Sequence, residues 1–234
     1  MIPPIEDFTL RDWHRLVPTD FQPQSIWSEV AASAQAEDLE LLASATGSLR
    51  QQNSTGASGI SHRELVYGIP NAEIVRNAFR YAGEGARFHD STRGAWYAAN
   101  HEQVSVQEVG YHLVRRLKTA RGIQVRKVGF RYDDWQADFH ADFYRLTGAK
   151  RYAKYLEQEP VPQFYAAGQD LARTILLKGG NGVVYPSVRY GDGGLCLACF
   201  RPALVYRPRR ADTYTLMVTV EPDGGYQVTF KKQR

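Results

Sequence analysis

Apolar residues return every three or four positions through IWSEVAASAQAEDLELLASAT, residues 26 to 46, a spacing that predicts an amphipathic helix ending before Gly47. The following QQNSTGASGIS, residues 51 to 61, is small, polar and without period, and reads as a loop or linker. Beyond it, GAWYAA is a short strand signal, and VSVQEVGYHLVRRL carries Val106, Val109, Gly110, Leu113, Val114 and Leu117 on one helical stripe. YAAGQDLARTILLK predicts another helix, closed by Gly179 and Gly180. GVVYPSV, LCLACFRPALVY, YTLMVTV and YQVTF are β-branched or aromatic runs, and EPDGG between the last two is a hairpin turn. Helices in the first half and strands concentrated in the second argue an α+β fold with a mixed or antiparallel sheet. On this pattern residues 1–61 form a helical extension and linker, and residues 62–234 the main body.

Composition adds that the chain folds. Its 234 residues are 43% hydrophobic and 23% charged, far from the profile of a disordered or collagen-like chain. The net charge of +4 and pI near 9.0 favour anionic partners without choosing among them. The surplus is uneven. RRLKTARGIQVRK holds Arg115, Arg116, Lys118, Arg121, Arg126 and Lys127 without an acid, whereas DDWQADFHAD holds Asp133, Asp134, Asp138 and Asp142. A solvated helix end and loop explains the basic run; a nucleic-acid stripe over 115–131, with Tyr132 and Trp135 as stacking faces, is the alternative.

The opening MIPPIEDFTLRDW has acids where a signal peptide carries bases, and no apolar run approaches the ~18 to 20 residues of a membrane span, so no membrane association is expected and the cytoplasm is the expected location. Cys196 and Cys199 lie three apart in a strand-like run, which puts them on opposite faces and makes buried free thiols the expectation rather than a metal or redox pair. The six histidines show no metal spacing, and no metal is expected.

No GxxxxGK[ST], complete GxGxxG, HExxH or GxSxG occurs. What remains is GARFHDSTRGAWYAANHEQVSVQEVGYH, with Arg87, Tyr97 and Glu108, and NGVVYPSVRYGDGGLCLACFRP, with Ser187 after Pro186 and a glycine-rich rim at Gly191, Gly193 and Gly194. Each has a structural alternative: Arg87 a surface cation, Tyr97 a core aromatic, Ser187 a strand end before a turn. Glu108 has the sharpest, because Ser105-Val106-Gln107-Glu108 fits a capping box. Helical geometry nevertheless sets Glu108 about 170° from the centre of the apolar stripe, beside Tyr111, His112 and Arg115, so it meets water or lines a cleft.

Taken together, GEGARF, GAWYAA, VSVQEVGYH and GVVYPSVRYGDGGLCLACFRP resemble the RES domain, the toxin half of bacterial RES-Xre toxin-antitoxin modules, which includes ParT-type ADP-ribosylating toxins. The resemblance covers roughly residues 62 to 215. This chain reads GARFH where many members carry a Gly-Gly-Arg-Trp-Asn type string, with Phe88 keeping the aromatic. It implies an ADP-ribosyltransferase-like fold and cleavage of the nicotinamide-ribose bond of NAD, a substrate that needs no metal. By the motif match, Arg87, Tyr97 and Glu108 are the catalytic residues, and Arg87, Tyr97 and Ser187 bind NAD. Arg87 suits the pyrophosphate, Tyr97 the nicotinamide face, and Glu108 the oxocarbenium-like ribose. Ser187 would bond the ribose or position Glu108. ADP-ribose would pass to a protein acceptor, to water or to phosphate. A helical Xre-like antitoxin is the implied partner, covering the NAD cleft in a hetero-oligomer.

Overall fold

The structure, a computed structural model, describes residues 2–19, 59–119, 127–157, 165–191, 193–220 and 225–233. The helix expected over 26–46 and the linker residues 51–58 lie outside the described residues. Among the described residues seven strands form one sheet in the order β1-β2-β5-β4-β3-β6-β7: β1 Ile5–Pro18, β2 Trp96–Ala99, β3 Lys127–Arg145, β4 Gly182–Pro186, β5 Leu195–Cys199, β6 Tyr206–Val220 and β7 Tyr226–Lys232. A further pairing of β1 with β3 makes β1-β2-β5-β4-β3 a closed circuit, with β6 and β7 extending from β3. Among the described strands only β3 and β4 pair parallel, so the sheet is mixed and the fold is α+β, as the pattern predicts.

Two long strands depart from the pattern-based reading. The first eighteen residues, grouped there with a helical extension, supply β1 to the main sheet, and the charged stretch 127–145, to which the pattern assigns no element, is β3. Among the described residues, strands are therefore interleaved with the helices instead of only following them. β1 conceals itself because the apolar residues it packs into the cores fall at Phe8, Leu10, Trp13 and Leu16. A bulge at Asp12, which adopts φ 56°, breaks the alternation and shifts the pairing between Leu10 and Trp13.

Among the described residues four α-helices pack on the sheet: α1 Ala72–Arg80, α2 Glu102–Thr119, α3 Ala153–Leu156 and α4 Tyr165–Leu177. One core joins the sheet to α3 and α4 through Tyr155, Leu171, Ile175, Val183 and Ala198. A second buries Val75 and Phe79 of α1 against Trp13, Trp96, Phe139 and Phe143. The third seats Val106, Leu113 and Leu117 of α2 on Phe130, Leu216 and Val218 of β3 and β6. Gly179, at φ 75°, ends α4 as expected: its N–H donates to Leu176 O at 3.0 Å and that of Gly180 to Ile175 O at 2.9 Å, a Schellman motif. β6 and β7 pair antiparallel down to Val220 opposite Tyr226, flanking the EPDGG turn, whose residues 221–224 lie outside the described ones. Among the described residues no helix is long and apolar enough to cross a membrane.

Candidate functional site

α2 starts at Glu102, three residues before Ser105, so the capping-box reading of Ser105 and Glu108 is incorrect. Ser105 is instead buried inside the helix, its hydroxyl donating to His14 O of β1 at 2.9 Å. One turn later Glu108 emerges on the face away from the third core and lines a cleft of about 260 Å³. Arg87 and Tyr97 line the same cleft, so the three residues singled out from the sequence converge.

Arg87 is carried on a tight turn. Ala86 and His89 exchange backbone hydrogen bonds across it, and Gly85 enters it at φ 87°, with His89 O only 2.9 Å from where a Cβ would sit. Phe88 anchors the turn by burying its ring edge-on to Tyr185 at 4.8 Å. The Phe88 N–H donates to Tyr97 Oη at 3.0 Å. His89 Nε2 lies 3.0 Å from Ala82 O, which only accepts, so Nε2 carries the proton and Nδ1 accepts the Tyr97 hydroxyl at 3.0 Å. The Tyr97 hydroxyl is thus spent on fixing the Arg87 turn, and burial raises its pKa. The ring remains to face a ligand.

Arg87 is 5% exposed, and its guanidinium lies 5.5 Å from the Tyr165 ring. Its Nη1 donates to Tyr155 O at 3.0 Å and Glu157 O at 2.7 Å, while Nη2 is buried without a partner. Two further arginines, not anticipated from the sequence, share this condition. Arg15 of β1 donates Nη1 to Tyr97 O at 3.2 Å, stacks 5.0 Å from Trp96 and leaves Nε unpartnered; burial pulls its pKa down to about 10. Arg189 leaves Nε and Nη2 unpartnered.

Arg189 also pairs with Glu108. Its Nη1 contacts Glu108 Oε2, and its guanidinium lies 4.0 Å from the Tyr111 ring. The other carboxylate oxygen accepts the Ser187 hydroxyl at 2.7 Å. Ser187 Oγ in turn accepts the N–H groups of Arg189 and Tyr190 at 3.3 and 3.2 Å, which makes it the hub of the turn that follows β4. Of the two roles open to Ser187, this geometry serves the second, positioning Glu108. The sequence signal for Arg189 was its place two residues after Ser187, at the mouth of the glycine-rich rim.

Charge in the cleft is lopsided: three guanidiniums face one carboxylate, and its histidines 89 and 112 are held neutral, with pKa values pulled down to about 4 and about 3, chiefly by burial. Tyr97, Tyr165 and Tyr185 give it flat aromatic walls. Such a site offers unsatisfied donors to a polyanion, ring faces to a planar group, and one fixed carboxylate to a developing cation. Burying guanidinium N–H groups without acceptors is costly, and a bound diphosphate would supply the acceptors.

Other features are structural. Cys196 and Cys199 are free and buried on opposite faces of β5, one in the first core and one in the second, as their spacing predicts. No group of His, Cys, Asp or Glu suited to a metal occurs among the described residues. Tyr132, one of the two stacking faces in the nucleic-acid alternative, is buried in the third core and offers no face to a base, and Lys118 lies over Tyr226. The comparison with curated proteins found no match. The RES domain model matches residues 65–219, more than half of the chain, carrying Arg87, Tyr97, Glu108 and Ser187 together, and the chain therefore belongs to the RES domain family.

Proposed function

We propose that the protein is the toxin of a bacterial type II toxin-antitoxin pair and cleaves the nicotinamide-ribose bond of NAD, passing ADP-ribose to a protein acceptor, to water or to phosphate. The observation that carries this reading is the meeting of Arg87, Tyr97 and Glu108 in one cleft that is rich in unpartnered guanidinium nitrogens. The RES family is associated with NAD-using chemistry, which supports the same substrate.

Arg87 Nη2, joined by the free donors of Arg15 and Arg189, grips the diphosphate. The Tyr97 ring stacks on the cationic nicotinamide. As the C–N bond lengthens and its electron pair passes to nicotinamide, the ribose gains positive charge, which the Glu108 carboxylate stabilises electrostatically. Ser187 and Arg189 hold that carboxylate in place. An Xre-like antitoxin covers the cleft and silences the enzyme; the toxin-antitoxin complex then turns over NAD more slowly than the toxin alone.

Purified protein incubated with NAD labelled in its ADP-ribose half, with and without bacterial lysate, tests the assignment. Release of nicotinamide is expected. Label on a protein band identifies transfer to protein, and label in ADP-ribose or its phosphate identifies a small acceptor. NAD that survives unchanged in every mixture removes the proposal.

A further inference from the structure

Resting on the NAD reading above, a second chemical need arises: an acceptor oxygen that attacks the ribose must lose its proton. Glu108 is poorly placed to take it, since one oxygen is already engaged by Ser187 and the other by Arg189. Three histidines line the cleft besides it. His89 has both ring nitrogens engaged, by the Tyr97 hydroxyl and by Ala82 O. His112 is buried beside Arg189 and Arg115, which disfavours its protonation.

His14 differs from both. Its Nδ1 lies 2.8 Å from Asp134 Oδ2, and Asp134 is fully buried in β3. The other oxygen, Oδ1, has no partner, so this carboxylate's whole hydrogen bonding to side chains is directed at the imidazole. A carboxylate acceptor fixes the proton on Nδ1 and leaves the lone pair on Nε2, which makes no hydrogen bond among the described residues. The Asp12 bulge produces this orientation. Phe8, Leu10 and Trp13 all face the second core, so the alternation is reset between Leu10 and Trp13; His14 then falls on the side of Leu16, which packs with α2. The Ser105 hydrogen bond to His14 O ties that point of β1 to α2 one turn before Glu108.

We propose that His14, positioned by Asp134, is the base that deprotonates the acceptor, and that the acceptor is one with a proton to lose: water or a neutral hydroxyl. In this step the C–N bond breaks with its electrons going to nicotinamide, an acceptor oxygen lone pair forms the C–O bond to ribose, and the acceptor's proton passes to His14 Nε2. The buried Asp134 carboxylate balances the imidazolium. His14 lies ahead of the matched segment 65–219, so a strand outside the family's domain completes the site.

Two variants test this with NAD in phosphate-free buffer. His14→Asn keeps an N–H near the Nδ1 position for Asp134 but has no basic nitrogen. Asp134→Asn donates where Asp134 accepts, and so forces the imidazole proton onto Nε2. Each is expected to lower kcat for ADP-ribose formation ~10²-fold while leaving KM and thermal midpoint near those of the wild type. A wild-type rate in either folded variant overturns the proposal, as does a loss confined to NAD binding. Wild-type turnover that appears only on adding orthophosphate also overturns it, because the phosphate dianion attacks without a base. If the wild type consumes no NAD under any of these conditions, the underlying NAD reading fails instead.

Discussion

His89 shows how a single side chain serves both the fold and the cleft. Its ring links Ala82 O to the Tyr97 hydroxyl and so holds the Arg87 turn from both ends, a role that requires the neutral form. Burial lowers its pKa to about 4, and that of His112 to about 3. An unfolded histidine titrates near ~6.5, so as pH falls from there the unfolded chain takes up protons that the folded one refuses, and stability declines until the folded pKa is passed. For His89 the loss reaches about 3 kcal/mol by pH 4. Denaturant midpoints at pH 7 and pH 4.5 measure it, with His89→Gln expected to show a shallower decline than the wild type; equal declines would refute the assignment. At this scale Arg87, Tyr97, Glu108 and Ser187 were legible because they sit in local motifs. Arg189, Arg15 and His14 were not, since their partners Glu108, Tyr97 and Asp134 lie far away in the chain and only the folded turn and the paired strands bring them together.

The elements carry the site through close approaches that periodicity does not record. Gly168 sits inside α4, where alanine would ordinarily favour the helix by about 1 kcal/mol. Here a Cβ would lie 2.2 Å from Arg87 O, and the next residue, Gln169, donates to Ala86 O at 3.1 Å. Gly168→Ala is therefore expected to lower stability by about 1–3 kcal/mol and to raise KM for NAD by displacing the Arg87 turn. Thermal melts and steady-state kinetics check both, and a more stable variant with unchanged KM would contradict the packing. Amphipathic α2 and α4 and the strands β2, β4, β5 and β7 were readable from their patterns. β3 was hidden by its charges, although Val128, Phe130 and Tyr132, and later Phe139, Ala141 and Phe143, do alternate. Pairing irregularities at Asp133–Trp135 and Gln136–Asp138 reset the phase between the two runs. The capping-box alternative for Ser105 and Glu108 fails despite its spacing, because α2 starts at Glu102 and the serine hydroxyl bonds β1 instead.

Across the whole molecule, the strand circuit explains why one cleft gathers residues from both ends of the chain. β1 closes against β3 along most of its length and meets β2 at His14 opposite Ala99, which brings Arg15 beside Tyr97; α2 and the turn after β4 bring Glu108 and Arg189. In the proposed reaction, three cations around a single carboxylate draw the dinucleotide into the cleft and leave one group to act on its ribose. That division of labour makes Glu108 the decisive position. The most direct measurement is nicotinamide release from NAD by the isolated protein and by Glu108→Gln, with circular dichroism verifying that both are folded. The expected result is a folded variant whose turnover is ~10²-fold slower or worse. Equal rates in the two folded proteins would contradict an NAD-cleaving role for this carboxylate.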